Sequence, residues 1–214
     1  MEAFDGCTSL TSVTIPDSVV NENMGAAVFG YCNGLTNVTF PTAFTIIPES
    51  TFYACNNLES YTIPSNITTI SSNAFYACSV LEEIIIPETV TSIGSAAFGL
   101  CINLRKAEIP NNLTILPDNL FYKCESLKDV NIPSNLTRLG NGVFYECLTL
   151  ENISLPNSIT SIGENAFGKC DDLMNFDLPS EVSVMDGNQY IATICGNNTL
   201  EMEFRIETNK GYQL

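Results

Sequence analysis

The chain has 214 residues, with 24 acidic against 8 basic side chains, no histidine and a formal net charge of −16. That balance excludes non-specific nucleic-acid binding, which depends on Lys and Arg neutralising phosphates, and it opposes adsorption to anionic membranes. No apolar run is long enough to span a bilayer, and Met1-Glu2-Ala3-Phe4 has neither the basic nor the apolar region of a signal peptide.

In chain order, one unit recurs. A phenylalanine stands at Phe4, Phe29, Phe52, Phe75, Phe98, Phe121, Phe144 and Phe167, spaced by 25 residues once and by 23 thereafter. Each is followed three residues later by a cysteine (Cys7 through Cys170), three further on by a leucine (Leu10 through Leu173), and six beyond that by a proline (Pro16 through Pro179). A fixed period in this range is the signature of a solenoid, in which no unit buries its apolar face without its neighbours. The chain enters this template at Ala3-Phe4 without a capping segment, and is therefore read as a fragment of a longer protein.

Within a repeat, L-x-x-[VIAYF]-x-[ILF]-P, as in Leu58-Glu59-Ser60-Tyr61-Thr62-Ile63-Pro64, alternates with period two and reads as a short strand that proline ends. An apolar residue, a Thr or Ser and a further apolar residue follow, as at Ile67, Thr68 and Ile70. These predict a second extended segment, with a ladder of β-branched side chains running from Thr45 to Ser183. The G-x-x-A-F-x-x-C portion is expected to be a single helical turn with Phe and Cys inward. The first repeat carries a two-residue insertion between Val19 and Phe29 that should bulge as a loop, and the template fails after Met185. The domain reading is eight repeats over 1–185 and a degenerate repeat or cap over 186–214. The fold class is a repeat solenoid with short parallel β-strands on its concave face.

Eight of the nine cysteines share one template position, so they should stack along the core as reduced, buried, hydrophobe-like side chains. Rungs about 5 Å apart would permit bridging, but parallel side-chain directions disfavour it. With no C-x-x-C and no His, no zinc site is expected. No D-x-[DN]-x-[DN]-G calcium loop is present, and no cofactor is implied. The acid pairs Glu82-Glu83 and Asp171-Asp172 could suit glycoside chemistry, but read as solvated charge. No nucleophile or phosphate-loop motif occurs, and the chain is read as non-enzymatic. Six N-x-[ST] sequons (Asn37, Asn66, Asn112, Asn135, Asn152, Asn197) fall where the template itself favours Asn and Thr.

Binding has better support, because a solenoid presents a long sheet whose outward positions can vary. The candidate site spans three rungs: Glu82, Glu83 and Ile85; Arg105, Lys106 and Glu108; Lys128, Asp129 and Asn131. Arg105, Lys106 and Lys128 gather on two adjacent rungs between acidic ones. They could orient a protein partner, or only balance cross-strand acids such as Glu83 and Asp129.

The eight copies resemble the BspA-like class of leucine-rich repeat proteins over about residues 3–185. Its A-F-x-x-C-x-x-L-x-x-[IV]-x-[IL]-P-x-x-[VI]-T-x-I-G pattern is matched by Ile84-Ile85-Ile86-Pro87-Glu88-Thr89-Val90-Thr91-Ser92-Ile93-Gly94. The resemblance implies a surface-associated or secreted, adhesin-type module engaging a host or extracellular matrix protein. Unbridged cysteines and the missing signal favour the alternative, a cytoplasmic scaffold.

Overall fold

In the computed structural model, which describes residues 3–177 and 183–184, each repeat makes one turn of a parallel β-solenoid of about seven turns. A turn has three sides, here called the front ladder, the back ladder and the turn side.

The front ladder is made by the segments between leucine and proline: Ser12–Thr14, Asn37–Thr39, Glu83–Ile85, Lys106–Glu108, Asp129–Val130, Asn152–Ser154 and Asn175–Asp177. Paired neighbours run parallel one repeat apart, so that Glu83 lies opposite Lys106 and Lys106 opposite Asp129, and the pairing lapses between Asp129–Val130 and Asn152–Ser154. In the third repeat only Ser60 bridges to Glu83. The back ladder follows each proline: Ile46–Ile47, Thr69–Ile70, Ser92–Ile93, Ile115–Leu116, Arg138–Leu139, Ser161–Ile162 and Ser183–Val184. Asn37–Thr39, Glu83–Ile85, Lys106–Glu108 and Asn152–Ser154 on the front, and the back strands from Ile46–Ile47 to Ser161–Ile162, each bury one side chain, which fixes register, because a slip of one residue would turn the apolar set outward.

The threonine column runs along the back ladder as expected. The hydroxyls of Thr68, Thr137 and Thr160 donate to the carbonyls of Thr45, Thr114 and Thr137 on the preceding rung, at 2.9–3.2 Å. Among the described residues the column runs as far as Thr160. Ser183 pairs with Ser161, 22 residues back, so it does not continue the column of Thr160.

The turn side differs from the expected helical turn. From Phe29 to Phe167, the residues two before and two after each Phe of the column take left-handed conformations, for example Asn73, Ala77, Leu100, Asn119, Lys123 and Glu146 with φ of 56–60°. Each such residue reverses a peptide plane. Alternate N–H groups therefore point in different directions: Phe75 and Ala77 donate to Ala97 and Gly99 of the next rung at 2.8 Å. Between them, Tyr76 and Cys78 donate within their own rung to Asn73 and Phe75, at 3.0 and 3.2 Å. A helix would aim every N–H along its own axis and leave no bonds between rungs. Non-glycine left-handed residues cost about 1–2 kcal/mol each, and the inter-rung bonds they enable offset much of that.

The core lies between the three sides. The phenylalanines from Phe4 to Phe167 stack with ring centroids 5.0–6.2 Å apart and planes 12–22° from parallel. From Phe29 onward they are buried, with Leu35 through Leu173 beside them. The thiols of Cys32, Cys55, Cys78, Cys101, Cys124, Cys147 and Cys170 do not face one another. Each donates to a Phe carbonyl of the preceding rung at 3.0–3.3 Å. That carbonyl also accepts the backbone N–H of its own rung's cysteine, as Phe75 does from Cys78. Cysteine thus fills a small apolar slot and satisfies the second lone pair of a buried carbonyl. Burial pushes the Cys55, Cys101 and Cys170 thiols up to about 12, whereas Cys7 is exposed.

The insertion in the first repeat is a 3-10 turn over Asn21–Asn23. The Asn21 side chain donates to the Thr45 hydroxyl at 2.9 Å and accepts from the Thr45 N–H at 3.3 Å. This ties the segment to the rung that opens the back ladder. The expected cap over 186–214 lies outside the described residues.

Candidate functional site

The front ladder places the sequence-derived candidates together. Leu81, Ile84 and Ile86 point inward, which leaves Glu82, Glu83 and Ile85 exposed; on the next rung, around buried Leu104, Ala107 and Ile109, Arg105 is exposed and Lys106 and Glu108 are half-buried. Ile85 is 56 % exposed, an unusual position for isoleucine. Each of the three clustered cations has an acidic partner. Arg105 lies 3.8 Å from Glu82 on the preceding rung, Lys128 3.7 Å from Glu151 on the following one, and Lys106 2.7 Å from Glu108 on its own strand. The hydrogen bond and charge of Glu108, supported by Asp129 and Glu83, raise the pKa of the Lys106 ammonium. The ion-pair partners are thus Glu82, Glu108 and Glu151, whereas Glu83 and Asp129, the acids expected from the sequence, form no ion pair with these cations and act on Lys106 only through their charge.

Asn131 has a different role from its neighbours. Its strand ends at Val130, and its side-chain amide replaces the next pair of backbone bonds. It donates to the Ile109 carbonyl and accepts from the Ile109 N–H, both at 2.7 Å. Both ends of the amide are engaged by the scaffold.

The turn side carries a second assembly that sequence reading did not single out. Tyr53 and Tyr76 stack 5.3 Å apart, and Tyr122 and Tyr145 5.5 Å apart with planes within 8°. Lys123 sits over the Tyr122 ring and Lys169 over Tyr145. Both ammonium groups converge on Glu146, at 3.1 and 2.7 Å. Lys169, then Lys123, hold the Glu146 carboxyl below the usual carboxylate range, and Glu146 in turn raises both lysines.

Between the two tyrosine pairs stands Gly99, where the ring of Tyr76 settles so closely on the backbone that a Cβ would come within 2.9 Å of its carbons. The interruption opens a groove of about 610 Å³ lined by Tyr53, Asn73, Tyr76, Ala96, Asn119 and Tyr122. Burial, then the neighbouring phenols of Tyr53 and Tyr122, raise the Tyr76 pKa. The signal was present in the sequence as the 23-residue recurrence of tyrosine one residue after phenylalanine, broken at Gly99.

Among the described residues no three His, Cys, Asp or Glu side chains group as a metal site, and no helix is long and apolar enough to cross a membrane. Glu82-Glu83 and Asp171-Asp172 are exposed.

Comparison with known proteins adds three findings. A leucine-rich repeat protein from Bacteroides ovatus superposes with a TM-score of 0.68 at 28 % identity, over 90 % of this chain and 55 % of that one. The leucine-rich repeat protein of T. pallidum gives 0.63 at 31 % identity, over 70 % and 69 %. A leucine-rich cell surface protein of Faecalibacterium prausnitzii gives 0.56 at 28 % identity, over 82 % and 62 %. The chain therefore spans about half the length of the first of these structures. The curated proteins it matches are of another kind. A stretch of 31 residues is 81 % identical to the DNA-directed RNA polymerase alpha subunit of Rhodomonas salina and 68 % to that of Guillardia theta. That stretch is 14 % of this chain and 10 % of those subunits, too short to show a family. By contrast, the family model for the BspA type leucine-rich repeat region matches in six copies over residues 1–105 and 69–197. Taken with eight periodic copies and the stacked parallel turns, this match means that the chain belongs to the BspA-type leucine-rich repeat family.

Proposed function

We propose that the front ladder docks a protein partner through its charged rungs, and that the module acts at a cell surface or in secreted form as an adhesin engaging a host or matrix protein. The family supports a protein-binding repeat module, typically without enzymatic activity. One observation carries the choice of face: Arg105, Lys106 and Lys128 gather on two rungs, flanked by Glu82 and Glu83 on one side and Glu151 on the other. The Arg105–Glu82 and Lys128–Glu151 pairs are long, and their side chains are 45–66 % exposed. Such pairs contribute about 0–1 kcal/mol, so a partner of complementary charge can exchange them at little cost and gain orientation and association rate. Asn131 holds the frame beneath them. The surface setting is supported by the F. prausnitzii neighbour, which is described as a cell surface protein.

A second reading, an intracellular scaffold, is favoured by the eight free cysteines among the described residues, which suit a reducing compartment. The test is capture by this chain from matrix or surface proteins and, separately, from cytosol, with captured proteins identified by mass spectrometry. An R105E/K106E/K128E variant runs alongside. Retention of a matrix or surface protein that the variant loses is the expected result. Capture from cytosol alone would replace the adhesin with the scaffold, and equal capture by both forms would remove the charged rungs from the site.

A further inference from the structure

We propose that the charged front rungs also join two copies of this chain, which meet face to face about a two-fold axis with their stacks running in opposite directions. This pairing rests on the docking role proposed for the front ladder and gives that surface one defined occupant. The backbone N–H groups of Glu82, Arg105 and Lys128 donate to the carbonyls of Glu59, Glu82 and Arg105, at 3.2, 2.8 and 3.1 Å. These four residues therefore stand in one column on consecutive rungs, and all four are exposed. Along the stack the column carries two acids and then two cations. The column beside it runs Ser60, Glu83, Lys106 and Asp129, linked by parallel pairing. In both columns, charges of opposite sign flank the midpoint between the fourth and fifth repeats.

An order that complements itself when reversed is what an isologous interface requires, because each copy presents the same surface to the other. A foreign partner imposes no such symmetry. A two-fold axis lying along the strands, at the midpoint between the fourth and fifth repeats, reverses the order of rungs and keeps each column opposite itself. Glu82 then faces Arg105 of the second copy, Glu59 faces Lys128, and Glu83 faces Lys106. Ser60 faces Asp129, to which its hydroxyl can donate. Ile85, 56 % exposed, comes to lie over the rung of Lys106 and Glu108, where the lysine stem can cover it. From the second repeat to the seventh, no acid meets an acid and no cation meets a cation. Neighbouring settings fail. An axis through the fourth repeat sets Glu82 and Glu83 against themselves, and one through the fifth does the same to Arg105 and Lys106. Stacks running in the same direction set Glu83, Lys106 and Asp129 each against itself.

The ion pairs within one copy do not bar this exchange. Arg105–Glu82 and Lys128–Glu151 are 3.8 and 3.7 Å long with side chains 45–66 % exposed, so each is weak. In the dimer, Glu82 and Arg105 of both copies close into a ring of alternating charge, with less water around it and a stronger attraction within it. The net charge of −16 opposes association through any acidic face, so local complementarity decides which faces can meet.

Sedimentation equilibrium of the full chain over a range of concentrations tests this with two variants. Arg105→Glu/Lys128→Glu makes the four-residue column acidic throughout, and Glu59→Lys/Glu82→Lys makes it cationic throughout. Each variant alone sets like charges opposite one another at all four contacts, whereas an equal mixture of the two restores opposite charges at all four. Recovery on mixing also shows that both variants fold. The parent should show a monomer–dimer equilibrium, each variant alone should dimerise about tenfold or more weakly, and the mixture should associate within about threefold of the parent. A parent that stays monomeric, a variant that dimerises alone as well as the parent, or a mixture no better than its components would overturn the proposal. The capture experiment separates this from the docking of a foreign protein. A monomeric parent whose captured protein is lost in R105E/K106E/K128E would overturn the dimer and leave the docking surface. The expected dimer with equal capture by both forms would support the second copy and remove the foreign partner from this face.

Discussion

The front ladder and the turn side belong to the same rungs but obey different constraints. On the front, inward positions are fixed by packing and outward ones take Glu, Arg, Lys, Ile or Asn without disturbing the strand. On the turn side nearly every position is committed: Phe to the ring stack, Cys to a carbonyl, and the residues around them to left-handed backbone. Variation is cheap on one side and expensive on the other, so a ligand-specific surface can change on the front while the turn side keeps the stack in register.

The strongest way to break this contrast is to remove a ring. Phe98 is fully buried between Phe75 and Phe121, and Phe98→Ala should cost about 3–5 kcal/mol in urea unfolding. Ile85→Thr, one rung away on the front, should stay within about 0.5 kcal/mol of the parent. Equal losses for the two would refute the division. The cysteine column gives a finer test. Cys101→Ala deletes the thiol that supplies the second hydrogen bond to the Phe75 carbonyl, at 3.2 Å, and should cost about 0.5–1.5 kcal/mol, the net contribution of one hydrogen bond. Alkylation followed by peptide mass spectrometry should modify exposed Cys7 well before Cys78, Cys101, Cys124 or Cys147, whose thiols are buried and have raised pKa values. Rapid labelling of those four in the folded chain would mean that the stack opens locally.

The same division decides what could be read from sequence. Period and inward pattern were legible, because a buried position tolerates few residue types: the Phe, Leu and Cys columns, both extended segments and the threonine ladder followed from them. The backbone of the turn side was not. Asn73, Asn119, Gly142 and Asn165 signal left-handed geometry before the Phe, but after it Ala77, Leu100, Lys123 and Glu146 adopt it, held by bonds to the next rung that no local propensity encodes. Asn21 and Asn131 were obscure for a related reason. Each replaces backbone on a neighbouring rung, and a side chain serving as backbone looks from sequence like any polar surface residue. Of the candidate site, the shared face of Glu82 through Asn131 was legible; the pairing of Arg105 with Glu82 and of Lys128 with Glu151 was not, since long side chains choose partners along the stack as well as across it.

The smallest expected effect concerns Glu146, among the described residues the one turn-side carboxylate with ion pairs. Its folded pKa is depressed, first by Lys169 and then by Lys123. The stability it contributes is therefore present above its unfolded value, near 4.3, and is lost as pH falls through the depressed folded value. Glu146→Gln should lower the melting temperature slightly at pH 7, and the difference from the parent should shrink as pH drops below about 4. High salt at pH 7 should shrink it less than it shrinks the effect of Lys128→Gln, because the Glu146 side chain is only 17 % exposed, whereas Lys128 and Glu151 are 61 % and 45 % exposed. If salt erased both differences equally, the Lys123–Glu146–Lys169 cluster would be surface charge of the same kind as the front rungs, and the turn side would carry one exchangeable feature after all.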